Sequence, residues 1–295
     1  MMSNNCNICP HKCNVDRVKK YGICKANNKV KIGLASLHFF EEPCISGSEG
    51  SGTVFFSHCN LSCVYCQNFK ISQENFGKEV SVEHLADIFL NLQKRSANNI
   101  NLVTPTVYIN QIIEAIKIAK SNGLNIPIIY NSSGYESIET IKKLNGYIDI
   151  YMPDFKYADD RLGIKYSKVQ NYSKIAKEAI KEMYNQVGSP RYDKRGIMKK
   201  GIIIRHLILP DNVDNSKVVL KWIKDTFSDN VVLSLMAQYF PVKHFDKYTE
   251  LNRKVTESEY KEVENYLYDL EIENGYIQEL GEHEEEYVPN FDLSE

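Results

Sequence analysis

No apolar run in this 295-residue chain approaches the length needed to cross a bilayer. The opening residues, MMSNNCNICPHKC, lack the apolar stretch of a secretory signal. A membrane protein is therefore not expected, and a cytoplasmic location is. A dominant charge is missing too: 36 Lys and Arg are mixed among 38 Asp and Glu, for a formal net charge of −2. That balance argues against a nucleic-acid partner. There is no GxSxG elbow or clustered carboxylates for a hydrolase, and no Walker A sequence to cradle phosphates. Internal repeats are absent, and the acidic run Glu282–Glu286 reads as a solvated face.

What is present is cysteine, eight of them. In a reducing compartment they favour metal or cluster ligation over disulfides. Cys59, Cys63 and Cys66 stand at CxxxCxxC spacing just after the apolar run Thr53-Val-Phe-Phe, so one loop leaving a strand carries three thiols. A cubane iron–sulfur cluster takes soft thiolates, usually four, so three leave one iron open to a ligand from outside the protein. The alternative is three buried structural cysteines, which behave as small hydrophobes.

A second set, Cys6, Cys9, Cys13 and Cys24, lies in a segment with too few apolar residues to form a core. A bound metal would stabilise it, and four thiolates suit either zinc or a second iron–sulfur cluster. His11 is a candidate replacement ligand or a solvated loop histidine. Cys44 is a candidate extra ligand or, better, a lone buried thiol.

Beyond these segments the chain alternates. Strand-like runs at 53–57, 100–103, 126–130, 147–152, 202–209 and 231–235 are separated by helical periodicities at 82–92, 112–119, 136–144, 167–187 and 216–227. A further strand is expected at 30–37 and a last helix at 257–270. This order predicts parallel βαβ units with right-handed crossovers, six strands in all. Spacing alone leaves a doubly wound open sheet as the other arrangement. The expected divisions are a cysteine-rich module at 1–50, a main domain at 51–245, and a C-terminal helix and tail at 246–295 packing on it.

Polar residues follow each expected strand, where α/β barrels build their chemistry. Thr104-Pro-Thr106 follows the second, and Asn131-Ser132-Ser-Gly134 the third, suited to ribose hydroxyls or to an ordinary strand-to-helix turn with a serine cap. The fourth leads to Asp154-Phe-Lys156: a lysine beside a carboxylate and an anion serves as a point-charge clamp, or the two form a plain ion pair. Arg205 lies in an apolar run and demands a carboxylate partner, while His206 on the opposite strand face reads as structural. Gln238 and Tyr239 follow the sixth strand as candidate adenosine or substrate contacts, Tyr239 equally a rim aromatic. Trp222 reads as core, and His244 fits no pattern.

The cysteine loop, with Tyr65 before its last cysteine, resembles that of the radical S-adenosylmethionine enzymes. The Asp154-x-Lys156 and Arg205-x4-Pro210 elements resemble the pyruvate formate-lyase activating enzyme-like branch. The resemblance spans about residues 50–245. It implies an incomplete (β/α)6 barrel, a 4Fe–4S cluster on Cys59, Cys63 and Cys66, and S-adenosylmethionine chelated to the free iron. It implies adenine against Tyr65, the methionine carboxylate on Lys156 and Arg205, and a 5′-deoxyadenosyl radical as product of reductive cleavage. It further implies a one-electron donor such as flavodoxin or ferredoxin, and a substrate such as a glycine of a glycyl-radical enzyme. The family's Gly-Gly-Glu-type turn is missing, and Thr104–Thr106 stands in its place. The competing expectations are radical modification of a peptide or small molecule, and a non-catalytic metal-binding scaffold.

Overall fold

The computed structural model describes residues 6–281 and Phe291; the acidic run Glu282–Glu286 lies outside the described residues. The chain enters the sheet through β1 (Val30–His38), a short helix α1 (Pro43–Ser46) and β2 (Ser51–Phe56). After the cysteine loop come α2 (Phe69–Ser72), β3 (Lys78–Val80), α3 (Val82–Lys94), β4 (Ile100–Val103) and α4 (Ile109–Ser121). Next are β5 (Ile128–Ser132), α5 (Ile138–Lys143), β6 (Ile150–Pro153), the single turn α6 (Asp160–Leu162) and α7 (Tyr172–Val187). The series ends with β7 (Arg191–Tyr192), β8 (Met198–Leu207), α8 (Val213–Phe227), β9 (Val232–Met236), α9 (Glu257–Asp269) and β10 (Gly275–Ile277).

The sheet runs β10-β9-β8-β6-β5-β4-β2-β1-β3, with β7 paired off the edge of β8. The six strands expected from the sequence, β2, β4, β5, β6, β8 and β9, are neighbours and parallel. With helices between them they form an incomplete (β/α)6 barrel whose end strands are not paired with each other. The sheet also continues past these six strands on both sides. β10 adds a seventh parallel strand beside β9, in a stretch of three residues too short to show a period. β1 pairs antiparallel with β2 over six residues, so the expected division at residue 50 falls between two strands of one sheet.

Alternation along the strands separates two apolar layers. Val54, Leu102 and Tyr130 face outward and pack with Leu85 and Phe89 of α3 and Ile112 and Ile116 of α4. The amphipathic spacing of α3 buries Leu85, Ala86, Phe89 and Leu92, and Ser81 caps it by accepting the His84 N–H at 3.1 Å. Ile129, Ile150, Met152, Ile203 and Val232 face inward and meet Cys44 and Ile45 of α1. That short helix therefore plugs the floor of the barrel. Cys44 is buried there among apolar side chains, as a lone thiol should be.

The helix expected at 167–187 begins only at Tyr172. Lys168 and Asn171 hold positive φ of 60° and 54°, which breaks the helix, and a wide turn over Gly163–Ser167 precedes them. This break presents Ser167 to the cysteine loop, as described next. Trp222 packs edge-on against Phe155 with ring centroids 4.9 Å apart.

Candidate active site

One cavity of about 660 Å3 fills the open barrel. Cys59, Cys63, Cys66 and Tyr65 border it from the loop after β2, and Thr104, Asn131, Ser132, Asp154, Lys156, Arg205 and Gln238 border it from the strand ends. Six segments far apart in sequence thus converge because the parallel strands all end on one side of the barrel.

The cysteine loop is held by its own backbone and by neighbours. The Leu61 N–H donates to Cys59 Sγ at 3.3 Å, Ser167 Oγ lies 2.9 Å from Cys63 Sγ, and Ser72 Oγ lies 3.3 Å from Cys66 Sγ. Burial pushes all three thiols up, Cys63 to about 11 despite the opposing pull of Lys156. As free thiols they are neutral; a soft metal centre that displaces the protons removes that desolvation cost. The donor set, three sulfurs on eight residues beside a large cavity, fits a cubane cluster with an open iron. A single ion is another matter: among the described residues, no group of three or more His, Cys, Asp or Glu side chains is arranged to hold one metal ion.

Opposite the thiols stands a chain of charges. Lys156 Nζ donates to Asp154 Oδ2 at 2.5 Å, and Arg205 Nε donates to Asp154 Oδ1 at 3.0 Å. Arg205 Nη2 donates to Asn131 Oδ1 at 2.7 Å, and Nη1 lies 3.5 Å from Glu41 Oε2. Burial opposes ionisation of Asp154, but Lys156 and Arg205 outweigh it and hold the carboxyl below its usual range. Burial likewise works against both cations, and Asp154 overcomes it and keeps them charged. The arrangement is a fixed pair of cations tied by one carboxylate, with ammonium and guanidinium protons left over for an anionic ligand.

The Asn131–Gly134 turn brings its backbone against β6. A Cβ on Gly134, whose φ is +74°, would lie 2.3 Å from the Asp154 carbonyl oxygen. Ser133 Oγ, beside this glycine, is buried, borders the cavity and has no hydrogen-bond partner. An orphaned hydroxyl at that point suits a polar ligand such as a ribose. Thr104 borders the cavity with φ of 58°, its N–H donating to Asn131 O at 2.9 Å. Thr106, by contrast, turns away: its hydroxyl donates to Glu136 Oε1 at 2.7 Å on the helical side.

Aromatics finish the wall. Tyr65 is buried, its hydroxyl 2.6 Å from that of Tyr157, with Tyr166 and Tyr239 edge-on to its ring. Tyr239 is buried and donates to Leu251 O at 2.7 Å, so its hydroxyl is committed to the fold. Gln238 accepts from Gln278 Nε2 at 2.9 Å, which ties the site to β10. His206 sits outside the cavity, between Phe155 O at 2.7 Å and Ser216 Oγ at 2.9 Å, in the structural role its strand face implies. His244 is exposed.

The N-terminal cysteines stand apart from this cavity. Cys6, Cys9, Cys13 and Cys24 share a small hollow of about 10 Å3 with His11 and Arg17. Burial pushes Cys9 up to about 12. The hollow nevertheless abuts the Cys59–Cys66 loop: His11 Nε2 lies 2.7 Å from Asn60 O, and Asn60 Nδ2 donates to Tyr135 O at 2.6 Å. His11 is half-buried, and through this contact it ties the module to the residue after Cys59.

Sequence reasoning missed Glu41, Glu42 and Ser167. The glutamates lie in a linker where an acidic pair looks like ordinary surface. Ser167 lies in what read as helix.

The sequence model of the Radical SAM superfamily matches residues 53–194. An uncharacterized protein of Methanocaldococcus jannaschii is 31% identical over 273 residues, 89% of this chain and 73% of that protein. Among solved structures, Streptococcus suis SuiB bound to precursor peptide SuiA superposes with a TM-score of 0.50 at 13% identity, over 76% of this chain and 47% of that one. The FeFe-hydrogenase maturase HydG from Carboxydothermus hydrogenoformans gives 0.50 at 13%, over 78% and 53%. The chain spans about half the length of these two neighbours, and the likeness to them is one of fold. No helix among the described residues is long and apolar enough to cross a membrane.

Proposed function

We propose, because this chain belongs to the radical S-adenosylmethionine superfamily, that it cleaves S-adenosylmethionine reductively and uses the resulting radical to take a hydrogen atom from a substrate. The observation that carries this is the meeting of three loop cysteines and the Asp154–Lys156–Arg205 chain on one cavity. Cys59, Cys63 and Cys66 would hold the 4Fe–4S cluster the family implies. When bound, that cluster supplies one electron to the sulfonium, giving methionine and a 5′-deoxyadenosyl radical.

The chain's own residues do the positioning. Lys156 gives one ammonium proton to Asp154 and keeps two for the methionine carboxylate. Arg205, fixed on three sides by Asp154, Asn131 and Glu41, adds positive charge without moving. Ser133 and Asn131 offer polar groups to the ribose, and Tyr65 a ring face to the adenine. The buried wall of Tyr65, Tyr157, Tyr166 and Tyr239 keeps water and other quenchers from a radical.

The protein acts in the cytoplasm as an activating enzyme. A flavodoxin or ferredoxin returns the electron, and the hydrogen comes from a glycine of a partner glycyl-radical enzyme. The four N-terminal cysteines bind zinc or a second cluster.

The test is anaerobic reconstitution with iron, sulfide and zinc counted per chain, followed by dithionite, S-adenosylmethionine and an assay for 5′-deoxyadenosine. About four irons with 5′-deoxyadenosine support one catalytic cluster, and about eight add a cluster on Cys6, Cys9, Cys13 and Cys24. Zinc alone, with no 5′-deoxyadenosine, means a non-catalytic scaffold.

A further inference from the structure

The same cavity reaches a wall that the cofactor leaves unassigned. The segment after β1 contributes Phe39, Phe40, Glu41 and Glu42 to its lining, and the edge strand β10 contributes Tyr276. Both belong to the ends of the open sheet, so this wall borders the gap through which the barrel is incomplete.

Glu41 and Glu42 are adjacent carboxylates held inside the protein. Glu41 accepts from Asn101 Nδ2 at 2.8 Å and faces Arg205 Nη1 at 3.5 Å. Glu42 is only 9% exposed, and its Oε2 is buried with no hydrogen-bond partner. Asn101 Oδ1, next to them, is a second buried acceptor without a donor. Desolvation of a carboxylate oxygen that gains no hydrogen bond is strongly unfavourable, and such a group in a cavity wall is one that a ligand completes.

The sign of that ligand follows from the charges. Lys156 and Arg205 are the only Lys or Arg side chains that border the cavity among the described residues, against the four carboxylates of Asp154, Glu41, Glu42 and Glu279. Burial, set against the pull of Arg205, pushes the Glu41 carboxyl above its usual range, to about 7. Glu42 Oε2, the unmet atom on the cavity wall, is an acceptor, so the missing group is a donor as well as a cation. Phe39 and Phe40, 51% and 44% exposed at the rim, offer ring faces and apolar surface to a carbon stem, which an inorganic ion does not use.

We infer that Glu42, together with Glu41, receives a primary ammonium or guanidinium group of the substrate. This rests on the radical-enzyme reading only in naming the ligand a substrate.

The probes are n-butylguanidinium, n-butylammonium and n-butanol, with potassium and magnesium chloride as inorganic cations. Each is titrated into the anaerobically reconstituted 295-residue chain by calorimetry. The organic cations bind wild type and n-butanol does not. Glu42→Gln weakens them roughly tenfold or more, about 1.4 kcal/mol, and Glu42→Asp, which keeps the charge, recovers part of the loss. Melting temperature and far-ultraviolet circular dichroism establish that each variant is folded. Absence of binding to wild type, equal affinity in Glu42→Gln, or full competition by potassium or magnesium overturns the inference. 5′-Deoxyadenosine formation by wild type, measured on the same preparation, tests the radical reading alone, because the titrations need no turnover.

Discussion

Asp154 and Arg205 are joined twice. Their backbones form a parallel bridge that continues β6 and β8, and Arg205 Nε donates to Asp154 Oδ1 at 3.0 Å. The side chains are each 16% exposed, so the pair sits largely out of water. Removing either partner leaves the other charge buried. Asp154→Ala and Arg205→Met are each expected to lower unfolding free energy by about 3 kcal/mol in urea titrations of the chain. The double variant should lose less than the sum, by about 1 kcal/mol or more. Strict additivity would show that the two side chains act independently and that the bridge is carried by backbone alone.

Gly134 is required by two constraints at once. Its φ of +74° is disfavoured for other residues, and a Cβ would press on the Asp154 carbonyl, which cannot retreat without disturbing β6. Gly134→Ala is therefore expected to cost more than about 1 kcal/mol of stability. It should also weaken S-adenosylmethionine binding, because Asp154 and Ser133 both lean on this turn. Unchanged stability with unchanged affinity would mean the turn is loose and that Asp154 is positioned from β8 alone.

His206 is buried with both ring nitrogens engaged, Nδ1 donating to Phe155 O and Nε2 accepting from Ser216. Burial, only partly offset by the Phe155 carbonyl, pulls its pKa from 6.5 to about 4. A depressed histidine stabilises above its unfolded pKa, and that contribution is lost as pH falls from about 6.5 toward 4, because the unfolded chain takes up the proton first. The loss amounts to about 3 kcal/mol over that window. His206→Gln should remove this part of the acid sensitivity, read as the difference between the two stability–pH curves. Parallel curves would place a protonated imidazole in the fold.

Much of this architecture is legible in the chain. The parallel series β2, β4, β5, β6, β8 and β9 announces itself through apolar runs bounded by helical periodicity, and polar residues such as Thr104, Asn131 and Asp154 stand at or just past the ends of these runs because strand ends face the cavity. Arg205 signals its carboxylate partner by standing in an apolar strand. Other features carry no local pattern. β10 has three residues, below the length at which alternation can be read. Glu41 and Glu42 acquire meaning only when the β1–β2 hairpin carries them under Arg205, a contact 164 positions away in sequence. The break at Lys168 and Asn171 depends on left-handed backbone at residues that tolerate helix equally well, so Ser167 reads as helical until the fold turns it toward Cys63.

Glu136 gives a pH effect of opposite sign. It is 1% exposed, and Thr106 and Tyr130 donate to its two oxygens at 2.7 and 3.3 Å. Burial outweighs those hydrogen bonds and raises its pKa from 4.5 to about 7. The fold therefore keeps the acid protonated. Its contribution is fully present below about 4.5 and is lost as pH rises through about 7, about 3 kcal/mol in all. Glu136→Gln keeps the shape without the charge, so the variant should gain on wild type progressively between those values and stay level above them. Urea titrations at pH 4.5 and 7.5 measure it, and a constant difference between the two pH values would mean that Glu136 is ionised throughout. Between 4.5 and 6.5 this slope opposes that of His206, so the paired variants are needed to separate the two groups.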